Sequence, residues 1–175
     1  MTMPQRLQQM ASELYTAGLQ LELLDSAGQV PSPLPVDQLQ QQVIASRALA
    51  ARTTLLAADF ASRTGSDSSE YLGKARAELA TAVTHTYNAV RLFTETASIT
   101  AAATAHPDAP GGKAYEGRLV LAHADARGNL WRASEAITRA AQHLEMHRSV
   151  EQFLTDMRVP APADPGTSPR HNHRR

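Results

Sequence analysis

Three residues late in the chain, His143, His147 and Glu151, recur at every fourth position of the run HLEMHRSVE. Two imidazoles and a carboxylate are the donor types that hold zinc or a related divalent ion. Steps of four on a helix keep all three side chains within about 80° of one face. The spacing therefore offers a metal-binding face on a helix. A fourth ligand would have to come from elsewhere in the fold, and His85 and His123 are the other histidines in helical segments. The competing account is an ordinary amphipathic helix, because histidine followed four residues later by glutamate is a common surface pair. With Gln142, Glu145 and Met146 as neighbours, the solvated surface is the preferred account and the divalent-metal bundle the alternative.

Other chemistries are less well served. Ferritin-like di-iron bundles need Glu-x-x-His on each of two helices, and no glutamate here is followed by histidine at the third position. The DinB-like bundles carry a late H-x-x-x-H pair, which His143 and His147 match in spacing, but they also use an early histidine on the second helix. This chain has none in its second segment, so the match covers two residues and implies no membership. HLEMH differs from the metalloprotease H-E-x-x-H because Glu145 is at the wrong offset and points away from the two imidazoles. GGKA at 111–114 lacks the earlier glycine and the hydroxyl residue of a phosphate-binding loop, and no G-x-S-x-G elbow exists. With no cysteine, disulfides, thiolate metal sites and cysteine nucleophiles are excluded. No catalytic residue and no cofactor is assigned.

The elements that would carry these residues follow from apolar periodicity. Leu7, Met10, Leu14, Ala17, Leu21 and Leu24 alternate spacings of three and four, which predicts a first helix over about 4–25, closed by Gly28 and VPSPLP. A second helix opens after Pro35 with Asp37 in its first turn and ends near Gly65. Its stripe is broad: Val36, Leu39, Val43, Ala50, Ala57 and Phe60 are widened by Ile44, Ala48, Leu55 and Leu56, which predicts two neighbouring helices. Asp67 or Ser68 would cap a third helix running to about Ala105, with Leu72, Leu79, Val83, Thr86, Val90, Phe93, Ala97 and Thr100 at heptad spacing. HPDAPGG stops it. A fourth helix spans about 113–157, with a bend or a close helix contact expected at Gly128. No strand pattern competes.

These segments predict an all-α, up-down-up-down four-helix bundle over 1–158, followed by a disordered, Pro-rich, mildly basic tail over 159–175. At 1.5 Å per residue, helices 3 and 4 are about 55–65 Å long and helix 1 only about 30 Å. A short helix cannot cover a long hairpin, so either a long helix bends back or part of the hairpin stays bare. A bare apolar stripe tends to find another chain. A homo-oligomer or a protein partner is therefore expected.

The 175 residues balance 17 basic against 17 acidic side chains, so nothing in the charge asks for nucleic acid, an anionic membrane or an acidic substrate. Arg118, Arg127, Arg132, Arg139 and Arg148 hold no narrow face and are interleaved with acids, although the terminal RHNHRR would touch phosphate weakly. The N-terminus has no apolar signal region and no stretch approaches a membrane span, so a cytoplasmic protein is expected. Alanine abundance and arginine over lysine at fifteen to two suit a GC-rich, actinobacterial-like genome. The expected function is non-enzymatic, through protein contacts, with Trp131, Phe153, Leu154 and Met157 as the contact residues.

Overall fold

The computed structural model describes residues 2–158 apart from 26, 33, 66, 68 and 106–111. The tail expected over 159–175, the capping role considered for Ser68 and most of the HPDAPGG stop lie outside the described residues. Four helices make up the fold: α1 (Met3–Gln20), α2 (Val36–Thr64), α3 (Glu70–Ala105) and α4 (Gly112–Met157). No strand occurs among the described residues. The ladder of side-chain contacts fixes the topology. Arg6 pairs with Asp59 and Glu13 with Arg52, so α1 and α2 run in opposite directions. Ser134 Oγ donates to the Ala11 carbonyl and Arg127 Nε to that of Gly18, which sets α4 antiparallel to α1. Arg139 meets Glu78 and Arg118 meets Glu95, which sets α4 antiparallel to α3. The chain thus runs up, down, up and down.

Local chemistry sets the helix ends. At the start of α1, Pro4 occupies the first turn and the Thr2 N–H donates to Gln5 Oε1 at 2.8 Å. This helix ends at Gln20, five residues short of the expected Asp25. The chain leaves the helix because Leu23, off the a/d stripe, is drawn into a separate apolar cluster, while the Glu22 carbonyl accepts from the side-chain amides of Gln38 and Gln42. Leu24, on the stripe, is left exposed. Asp25 then organises a turn by accepting from the N–H groups of Ala27 and Gln29, with Gly28 at φ 74°. Gly65, at φ 49°, closes α2 by donating to the Ala61 carbonyl.

α4 is the central helix. It buries a wide face from Leu119 to Leu144 against α3 on one side and α1 on the other. On α3 the residues Leu72, Ala75, Leu79, Ala82, Thr86, Ala89, Phe93, Thr96 and Thr100 are buried in an alternation of threes and fours, joined by Ile99 near the end of the helix. Three of the expected stripe residues therefore differ: Val83, Val90 and Ala97 are only half-buried, and small Ala75, Ala82, Ala89 and Thr96 take inner positions. Small side chains there allow α3 to lie close to Ala126, Ala133, Ala136 and Ala140 of α4. Five buried hydroxyls of α2 and α3 need no outside partner, since Ser46, Thr53, Thr86, Thr96 and Thr100 each donate to a carbonyl three or four residues back in their own helix.

α2 packs closely on α3 but only sparsely on α1. Ile44, Ala48 and Leu55, expected to face a second neighbour, are exposed. The seam with α1 is bridged instead by the two ion pairs named above. Gly128 shows neither a break in α4 nor a close contact: the nearest atom to a Cβ built there is an Arg132 nitrogen at 3.8 Å. The close approach lies at Gly18 of α1, where an added Cβ would run into the Trp131 indole at Nε1.

The unequal helix lengths are resolved differently at the two ends of the α3/α4 hairpin. Where α3 ends and α4 begins, the segment 21–35 folds across the hairpin. Leu23, Leu39, Ile99 and Leu119 close into a second core with Val30, Leu34 and Tyr115 packed around it. At the other end α4 continues past the starts of both α1 and α3. Residues 148–158 are all exposed.

Candidate functional site

The five-residue turn between α2 and α3 lies against the last buried turn of α4. The Asp67 N–H donates to the Thr64 carbonyl, and an Asp67 carboxylate oxygen accepts from the Ser69 N–H at 2.9 Å. Asp67 thus shapes the turn before α3 rather than capping the helix as expected, since the N–H it accepts from belongs to Ser69, ahead of the first helical residue Glu70. Arg76, two turns into α3, donates to the Asp67 carbonyl at 2.6 Å and ties the turn down. This places the Ser69 hydroxyl 3.0 Å from His147 Nδ1. The other ring nitrogen, His147 Nε2, is 3.3 Å from a Glu151 carboxylate oxygen. One ligand atom each from Asp67, His147 and Glu151 lies within 4.8 Å of the others, the one such trio among the described residues. The His147 side chain is 13 % exposed and that of Glu151 62 %.

Two of the three residues singled out by spacing, His147 and Glu151, are therefore together. His143 stands a turn earlier, half-buried and outside the trio. Asp67 takes the third place, eighty residues away in sequence. Nothing in the spacing of α4 reveals it; the available signal was the shortness of the α2–α3 turn, which must deliver its polar residues to the end of a neighbouring helix.

The remaining histidines of the helices are engaged elsewhere. His85 Nδ1 donates to Asn129 Oδ1 at 3.0 Å. His123 is buried, its Nε2 donates to Gln42 Oε1 at 2.9 Å, and Gln42 in turn donates to the Glu22 carbonyl. The Phe93 ring meets the imidazole edge to face at 5.4 Å. Burial, with a smaller contribution from the Arg127 charge, pushes the His123 pKa down from 6.5 to about 4, so the ring is neutral and serves as a structural link between α4, α2 and the 21–35 segment.

The four expected contact residues divide. Trp131 is half-buried over Gly18, with the Arg127 guanidinium 5.6 Å from its ring centroid, so it is used within the chain. Phe153, Leu154 and Met157 are exposed on the projecting end of α4, and Met146 and Val150 join them. Spacings of four, three and four put Met146, Val150, Phe153 and Met157 in one stripe, with Leu154 at its edge.

The class that the fold defines is an all-α protein with a four-helix arrangement and a long α3/α4 hairpin. Comparison with protein-family models, with curated proteins and with solved structures gives no match. Among the described residues, no helix is long and apolar enough to cross a membrane.

Proposed function

We propose that this protein acts by protein contact rather than by catalysis, and that the projecting end of α4 is its docking surface for a second copy of the chain. The observation that carries the reading is the stripe itself. Phe153 and Met157 are 62 % and 61 % exposed, on a helix whose preceding turns are buried on a broad face. Large apolar side chains grouped in this way mark an interaction surface, whereas single ones scattered over a protein do not.

The stripe is symmetric about its midpoint. In two copies laid antiparallel, Met146 of one meets Met157 of the other, and Val150 meets Phe153. This is the self-complementarity that a two-fold interface requires. A few helical turns supply less than the roughly 800 Å² per partner of a standard stable interface. The pairing is accordingly weak and concentration-dependent.

Sedimentation equilibrium on the full chain tests this. The wild type is expected to move from monomer to dimer with rising concentration, and the double substitution Phe153→Asp, Leu154→Glu to remain monomeric. A wild type that stays monomeric throughout, or a variant that dimerises as well as wild type, refutes the docking role.

A further inference from the structure

We propose that Asp67, His147 and Glu151 form a binding site for a divalent transition-metal ion, with Zn²⁺ the best fit. This goes beyond the protein-contact reading and does not depend on it. Four observations carry it. First, the donors are mixed, one imidazole nitrogen and two carboxylate oxygens. Imidazole favours zinc and its neighbours, while magnesium and calcium prefer oxygen alone. Second, the donors come from two elements that the fold brings together, the α2–α3 turn and the end of α4, so the trio is not merely an i, i+4 surface pair. Third, the 3.3 Å between His147 Nε2 and the Glu151 oxygen is close to the ~3.4 Å edge of a tetrahedron with bonds of about 2.1 Å. Asp67 is exposed and needs only a small side-chain movement from within 4.8 Å to complete a third vertex.

The fourth observation is the Ser69 hydroxyl, 3.0 Å from His147 Nδ1. With Nδ1–H donating to the hydroxyl oxygen, the ring is held in the tautomer that leaves the Nε2 lone pair free beside the Glu151 carboxylate. Zinc-bound histidines are oriented by such a partner on the other nitrogen. Ser69 is thus a positioning residue. Three protein ligands leave the fourth vertex to water, so the bound ion is exchangeable.

Calorimetric titration of the untagged full chain with zinc chloride is the test. The wild type is expected to bind one ion per chain, and His147→Ala to lose that binding. Asp67→Asn, an exposed change that leaves the helices intact, is expected to weaken it at least tenfold, and Ser69→Ala to weaken it by less. His143→Ala and the double change His171→Ala, His173→Ala should bind as wild type does. Zinc should also raise the melting temperature of wild type, by about 5–10 °C at a hundredfold excess over Kd, and that of Asp67→Asn by about half as much or less at the same zinc concentration. Absence of binding, its survival in His147→Ala, or its loss on removing His143 or the two tail histidines while Asp67→Asn binds normally would overturn the assignment.

Discussion

The two ends of the α3/α4 hairpin present the same packing problem and solve it in opposite ways. Both carry apolar residues beyond the reach of the shorter helices. At the α3–α4 connection, α1 stops early and the 21–35 segment lies over the hairpin, so that Leu39 and Leu119 are 1 % and 2 % exposed. At the far end, the five-residue turn from α2 to α3 is too short to spread over anything, and α4 runs on with its apolar stripe in water. The difference lies in the connecting segments and not in the helices. A long connection with its own anchors, Leu23, Val30 and Leu34, acts as a cover, while a tight turn leaves the longer helix bare.

The sharpest way to break this comparison is to truncate one side chain at each end. Leu39→Ala or Leu119→Ala should cost about 2–5 kcal/mol in urea unfolding, the usual range for emptying a packed core site. Phe153→Ala, measured in dilute monomer, should change stability by no more than about 0.5 kcal/mol, as at other exposed positions. Equal losses at the two ends would erase the distinction.

His123 gives the covered end a pH signature. Its folded pKa, about 4, lies below the ordinary value of 6.5, so the unfolded chain takes up the proton first as pH falls. Its contribution is complete above pH 6.5 and shrinks as pH drops to about 4, by about 3 kcal/mol in all. His123→Gln should flatten that part of a stability–pH curve. A wild-type curve that is already level between pH 6.5 and 4 would show that the ring is not held neutral by burial.

The smallest of the three effects concerns the region between the ends, where α1 meets α4. Gly18→Ala pushes a methyl group into Trp131, and the strain outweighs the gain in helix propensity, for a net loss of about 1–2 kcal/mol. A neutral or stabilising result would mean that the indole moves aside freely.

Much of the architecture was legible in the sequence, because turn-by-turn recurrence of Leu, Val, Ile and Phe fixes where helices run, and Pro35 and Gly65 mark ends without help from the rest of the fold. Three things were not legible. On α3 the positions of Leu72, Leu79, Thr86, Phe93 and Thr100 are legible, but those between them are not, because alanines 75, 82 and 89 carry little apolar signal although close helix packing favours them over Val83 and Val90. The early end of α1 depends on Gln38 and Gln42, whose amides catch the Glu22 carbonyl from another helix. The trio around His147 depends on Asp67, which no spacing within α4 can reveal. Conversely, Gly128 draws attention by its place inside a helix, yet it is Gly18 that lies under a tryptophan.

Amide hydrogen exchange along α4, followed as protein concentration rises, tests the central claim most directly. In dilute solution residues 119–144 should be strongly protected and 148–157 should exchange rapidly, and at high concentration protection should appear within 146–157 alone. Protection of 148–157 that is already high in dilute monomer, or that never changes with concentration, would contradict the account of a bare helix end that pairs with a second copy.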